Sequence, residues 1–252
     1  MLAADVLVGA SVPISQRVPL DRIDHKLWDG LLKKYVDQHG RVAYAAWNRS
    51  AADVQALDQY LRLLSTSDGT GDEAQQLAFW INAYNALTIK GILREYPTSS
   101  IRNHTAIFFG YNIWKNLKLN VAGKPISLYD IEHQVLRKME EPRIHFAIVC
   151  ASIGCPKLLN EAYQAEKADA QLTAAAKAFF ADKSKFRYDS QRGIFYISPI
   201  LDWFAEDFGN SQAAQLQRIA AWLPVATAQQ AAASGTGSIS FVTYDWGLND
   251  RN

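Results

Sequence analysis

The chain has 252 residues, 49% of them hydrophobic and 20% charged, which is enough apolar material for a sizeable core and too much for a largely disordered protein. Its 26 basic and 25 acidic side chains leave a net charge of +1. No basic run exceeds a pair such as Lys33-Lys34, so nucleic acid is not expected as a partner, and no apolar stretch reaches the roughly 18 residues of a transmembrane segment.

Residues Met1 to Pro13 lack the basic start and long apolar centre of an intact signal peptide. Leu2-Ala3-Ala4-Asp5 reads instead as the remnant of a removed one, which predicts an exported, periplasmic protein; two cysteines fit either compartment. Residues 1–20 read as an extended lead-in broken by Pro13 and Pro19, and 21–252 as one domain. From Asp24, Leu27, Trp28, Leu31, Leu32 and Tyr35 recur at helical spacing, and a second helix follows from Ser50 to Leu64. The strongest helix runs from Asp72 to Tyr96 and is ended by Pro97. Its middle, Leu77 to Leu87, is apolar nearly all round, the mark of a helix buried on every side.

Asn82 and Asn85 share a face of that central helix. A buried amide needs partners, so each either pins neighbouring loop backbone or polarises a substrate carbonyl. Beyond the stretch 101–110, alternation up to Val121, a turn at Ala122-Gly123 and Ile126-Ser127-Leu128 predict a hairpin. Ser127 with Asp130 resembles a capping box that opens a helix from Leu128 to about Lys138. The apolar run His145 to Cys150 is expected as a core strand. Ala165 to Ala181, Pro199 to Phe208 and Ser211 to Leu223 follow as helices, with a hairpin around Gly193. Ala226 to Ser238 reads as a connector without a packing face, and Ser238 to Tyr244 as a last strand. Helices and hairpins intermingle, which gives an α+β fold with a mainly antiparallel sheet around the buried helix.

Both thiols lie in Arg143 to Lys157. On a regular strand the ends of His145 to Cys150 stand roughly 17 Å apart and face opposite ways, so those two cannot touch, and Cys150 reads as a small core residue. Cys155, between Gly154 and Pro156, sits in a loop of small residues that leaves it reachable. If the helix from Leu128 packs antiparallel to the strand, Cys155 lies near its N-terminus, where a thiol pKa falls. A nucleophilic Cys155 with His133 as base and Asp130 orienting it is then constructible, with His145 as rival base. A Cys150–Cys155 disulfide is the second reading and would exclude resting nucleophilic chemistry. The spacing is not that of a zinc site, and neither a P-loop nor a dinucleotide fingerprint is present, so no metal and no cofactor is expected.

Four ordered stretches carry a family resemblance: Phe79-Trp-Ile-Asn-Ala-Tyr-Asn-Ala-Leu, Ser127-Leu-Tyr-Asp-Ile-Glu-His133, Pro142 to Pro156, and Tyr244-Asp-Trp-Gly-Leu-Asn. Together they resemble the domain of unknown function 547 family from about Asp72 to Asn249. The resemblance implies a bacterial, exported protein and singles out Trp80, Asn82, Tyr84, Asn85, Glu132, His133, Arg143, His145, Cys155 and Pro156. The order of a buried helix followed by His-bearing strands is loosely similar to papain-like and transglutaminase-like folds, from which the chain departs because no cysteine starts the central helix. The expected function is thiol-dependent acyl or amide chemistry. Cys155 would act with His133 or His145, oriented by Asp130 or Glu132, while Asn82, Asn85, Tyr84, Trp80 and Arg143 bind or polarise an unknown small molecule or peptide. The alternative is a non-catalytic binding or scaffold module, with a protein partner, in which Arg143 and Glu132 pair and the cysteines are structural.

Overall fold

A computed structural model describes residues 5–106 and 110–251. The suspected signal-peptide remnant at Leu2 to Ala4 and part of the stretch 101–110 lie outside the described residues. The elements in chain order are β1 (Val6–Val8), α1 (Lys26–Tyr35), α2 (Tyr44–Arg49), α3 (Ala51–Leu64), α4 (Glu73–Glu95), α5 (Ile113–Asn116), β2 (Leu117–Val121) and β3 (Lys124–Ser127). Next comes α6 (Leu128–Asp130), continued by a π turn, Ile131–Val135, and a 3-10 turn, Leu136–Met139. After them stand α7 (Ala168–Ala181), β4 (Phe186–Asp189), β5 (Ile194–Ile197), α8 (Ile200–Trp203), α9 (Ala205–Phe208), α10 (Gln212–Ile219), α11 (Ala226–Ala233) and β6 (Ser238–Phe241). This is a single-domain α+β fold.

The central helix forms as its pattern requires. Asp72 caps α4 and shares a reciprocal capping box with Gln75, and the chain leaves helical geometry at Tyr96, before Pro97. Every residue from Leu77 to Ile89 is buried, so α4 has no solvent face over that length. Helices α2 and α3 pack against it, and α1 packs on those two, with Trp28 stacked on Tyr60 and Tyr35 on Trp47. A second cluster gathers Phe179 and Phe180 of α7, Phe195 of β5, Phe208 of α9 and Leu216 of α10. Phe146, fully buried, belongs to this second cluster, while its neighbours Ile144 and Ala147 belong to the first. The segment around His145 therefore ties the two clusters together.

Among the described residues the strands form two separate three-stranded sheets instead of one. Each sheet has one hairpin and one parallel pairing: β2 pairs antiparallel with β3 and parallel with β1, and β5 pairs antiparallel with β4 and parallel with β6. The sheets are thus mixed, because each hairpin gains a third strand from a distant part of the chain. The first hairpin turns at Ala122 and Gly123, both at positive φ (51° and 77°), as a tight two-residue turn demands.

Two expected elements differ. His145 to Cys150 is not a strand: Pro142–Phe146 is a 3-10 turn and the chain then runs on irregularly. Pro142 at the first position supplies a helix-start φ, and an apolar run alone does not separate a buried strand from a buried turn. Residues 226–233 are not an unpacked connector but helix α11, with Ala228 and Ala232 buried one turn apart; alanine is the best helix former and needs little room to pack.

Phe146→Ala removes the ring that joins the two clusters and is expected to cost about 3–5 kcal/mol in chemical denaturation. A change under 1 kcal/mol would show that the clusters are held together elsewhere.

Candidate functional site

Two amides of α4 place the chain that carries the site. Asn82 donates to the Tyr163 carbonyl (2.8 Å) and accepts from the Tyr163 N–H (3.0 Å). Asn85 donates to the Ala147 carbonyl (3.0 Å) and accepts from the Val149 N–H (2.9 Å). Each amide thus satisfies a backbone donor and acceptor that no sheet ladder serves.

A cavity of about 280 Å³ opens beside these anchors. Glu132, His133 and Tyr129 enter it from the helical stretch that starts at α6, Tyr84 from α4, and His145, Cys150 and Cys155 from the anchored segment. Trp203 and Phe204, at and after the end of α8, and Tyr244 and Trp246 beyond β6 complete an aromatic wall. Glu132 and His133 are carried on the π turn, a local widening often found at functional sites.

Behind this lining lies a charged network. Arg137 grips Asp207 through Nε (2.6 Å) and Nη2 (2.9 Å) and donates from Nη1 to His133 Nδ1 (3.1 Å). Asp207 also meets His145 Nε2 at 2.7 Å. These partners set the tautomers. A guanidinium only donates, so neutral His133 carries its proton on Nε2; an ionised carboxylate only accepts, so His145 carries its proton on Nε2 and keeps an acceptor lone pair on Nδ1. Among the described residues no hydrogen bond occupies His145 Nδ1. His145 is also fixed by stacking on Phe204, 4.1 Å between ring centres.

The protonation states follow from burial against charge. Burial pushes Glu132 up to about 7, and the Tyr84 hydroxyl (3.3 Å) and Arg137 only partly offset it. His145 is lowered, burial outweighing Asp207, and His133 is lowered by burial with Arg137 and His145 adding to it. Burial alone would raise Asp207, but hydrogen bonds from His145 and Arg137 hold it well below the usual carboxylate range. Near neutral pH the cavity therefore faces two neutral imidazoles and a carboxyl that is partly protonated.

The cysteines are bonded to each other, with Cα atoms 6.3 Å apart. Their loop is held by the C-terminal segment: Ile153 N–H donates to the Gly247 carbonyl and Gly154 N–H to the Asp245 carbonyl, both at 2.8 Å. Gly154 is required because a Cβ there would come within 2.9 Å of the Tyr244 ring. That close approach lets the Tyr244 hydroxyl reach Cys155 Sγ (3.2 Å).

Residues 70–180 match the family model described as Protein of unknown function, DUF547. The resemblance read from the sequence is thereby borne out over that span, while the Tyr244 to Asn249 motif lies beyond it. No curated protein and no solved structure matches the chain. The DUF547 span brings Tyr84, Glu132, His133, His145 and both cysteines to the cavity; Phe204, Asp207 and Tyr244 come from outside it.

Several expected roles are corrected. Cys155 is buried against the cavity and disulfide-bonded, so it is not a resting nucleophile. Cys150 is not a free core thiol but half of the bridge, and it lines the same cavity as His145 because the chain between them is irregular and lacks the extension and alternation of a strand. Asp130 does not orient His133: its carboxylate caps Ser127, accepting from the backbone N–H (3.1 Å) and Oγ (2.6 Å). Asn82 and Asn85 bond loop backbone and do not line the cavity. Trp80 bonds Gln76, and Arg143 bonds Glu141, Asp169 and Thr173 instead of Glu132. Asp207, Arg137 and Phe204 were not singled out from the sequence; the aromatic run Trp203-Phe204 beside Asp207 was the available signal.

Asn85→Ala leaves the Ala147 carbonyl and the Val149 N–H unpartnered and is expected to cost about 2–4 kcal/mol by denaturant titration. Glu132 supplies a pH test. Its folded pKa lies above the ordinary 4.5, so its contribution is complete below about pH 4.5 and is lost as pH rises through about 7. Relative to Glu132→Gln, the native protein should lose stability over that window, on the order of 3 kcal/mol; parallel stability curves would place the carboxyl in water.

Proposed function

We propose that the cavity binds a small, ring-bearing organic molecule and that His145 and Glu132 transfer protons on it, as general base and general acid in the hydrolysis of an ester or amide. One observation carries this reading: His145 is clamped between Asp207 and Phe204 with Nδ1 left over, in the same cavity as a carboxyl raised to about 7. In this reading Nδ1 takes a proton from the attacking water while Asp207 steadies the imidazolium that forms, and protonated Glu132 donates to the leaving group. The aromatic wall supports a flat, apolar substrate body. Nothing in this chemistry uses a thiol, so the disulfide is compatible with it.

The disulfide also supports placement in an oxidising compartment, and with it the reading of the chain as exported. Balanced charge supports a small molecule over nucleic acid as the partner. A second reading, binding without turnover, is favoured by the exposure of Trp203 at the cavity, 46% of its surface.

A panel of aryl esters and anilides at pH 5–8 tests the proposal. The rate needs neutral His145 and protonated Glu132, so a bell with its maximum on the acid side of 7 is expected. His145→Ala should lower kcat roughly 100-fold or more with little change in KM. A rate that survives His145→Ala would refute the base assignment, and ligand-dependent quenching of Trp203 fluorescence without any turnover would leave binding alone.

A further inference from the structure

The two sulfurs of the bridge are not equivalent. Cys150 keeps part of its surface exposed, whereas Cys155 is buried to 4%, and both line the cavity. Cys155 Sγ receives the Cys150 backbone N–H (3.0 Å) and the Tyr244 hydroxyl (3.2 Å). Ser152 Oγ stands 2.9 Å from the Tyr244 oxygen and, as donor to it, leaves the phenol proton free to point at Cys155. Among the described residues the hydrogen-bond partners of Cys150 Sγ are Ser152 (3.2 Å) and Tyr244 (3.4 Å), the same hydroxyls already engaged. Burial holds the Tyr244 phenol well above its ordinary range, so it remains a donor across physiological pH.

Thiol–disulfide exchange is governed by access to the attacked sulfur and by how well the departing sulfur carries negative charge. Both criteria select the same direction. We propose that the Cys150–Cys155 bridge is a thiol-exchange site, opened by a small thiol that enters the cavity, attacks Cys150 and releases Cys155 as a thiolate held by two hydrogen bonds. The attacking thiol first loses its proton to water. Its sulfur then bonds Cys150 Sγ, the electron pair of the S–S bond passes to Cys155 Sγ, and a mixed disulfide and one cysteine thiolate result. A second equivalent of thiol reduces the mixed disulfide and is itself oxidised to the symmetric disulfide. The aromatic wall and the small volume favour a compact aromatic thiol over a peptide thiol. The proposal stands apart from the acid–base reading, since it uses neither His145 nor Glu132.

The test uses the folded, oxidised protein with thiophenol, quenched at early times with iodoacetamide and mapped by peptide mass. Thiophenol on Cys150 with carbamidomethyl on Cys155 is the expected pattern. The reverse pattern, or reaction only in denaturant, overturns the proposal. In the reduced folded protein Cys155 should alkylate with a lower pH midpoint than Cys150. Tyr244→Phe should raise the Cys155 midpoint and slow bridge opening roughly three- to tenfold. Equal midpoints in the unsubstituted protein, or a Cys155 midpoint unmoved by Tyr244→Phe, would show that Tyr244 only packs against the loop and that the sulfurs are not distinguished.

Discussion

Helix α4 has no face toward water from Leu77 to Ile89, so whatever attaches to it there must bring its own hydrogen-bond partners. Asn82 and Asn85 supply them, each closing a two-bond ring with a backbone that lacks strand pairing at that point. Leaving such a pair unmet in the interior would cost several times the net worth of an ordinary hydrogen bond. The chain from Ala147 to Val149 is therefore held against the helix, which fixes His145 on one side and Cys150 on the other.

From that anchor the charged network can be understood as a chain of obligations. A buried His145 needs an acceptor, and Asp207 is one. A buried carboxylate needs more than a neutral imidazole, and Arg137 answers with two bonds. The remaining guanidinium nitrogen turns to His133, which fixes that ring's tautomer too. Burial raises the pKa of Glu132, and a long hydrogen bond from Tyr84 with the more distant Arg137 offsets only part of that.

Much of this was legible from local sequence. The all-round apolar stretch of α4, the need of Asn82 and Asn85 for partners, the Ser127–Asp130 box and both hairpins follow from periodicity, capping and turn chemistry over a few residues. Those rules do not reach the features that failed. Asp207 meets His145 across 62 positions, and no spacing rule encodes that distance. The 3-10 turn at Pro142–Phe146 was hidden because a short apolar run serves a buried strand and a buried turn equally well. The position of Cys150 depends on the same choice, since alternation of faces holds only along a strand. Helix α11 carries no apolar stripe of large side chains to mark it, although alanines one turn apart suffice for packing where the neighbour lies close.

The chain between the adjacent strands β5 and β6 is an excursion that carries α8 to α11, and with them Trp203, Phe204 and Asp207. The DUF547 match ends at residue 180, before this excursion begins. The cavity is thus divided by origin: Tyr84, Glu132, His133, His145 and the bridge come from the matched span, Trp203 and Phe204 come from a segment whose length two paired strands do not constrain, and Tyr244 and Trp246 follow β6. Strand pairing tolerates changes in what connects the strands, as long as the ends return to register. A change in the length of that excursion would move Trp203 and Phe204 while His145, Glu132 and the bridge stayed where α4 and the bonds around it hold them.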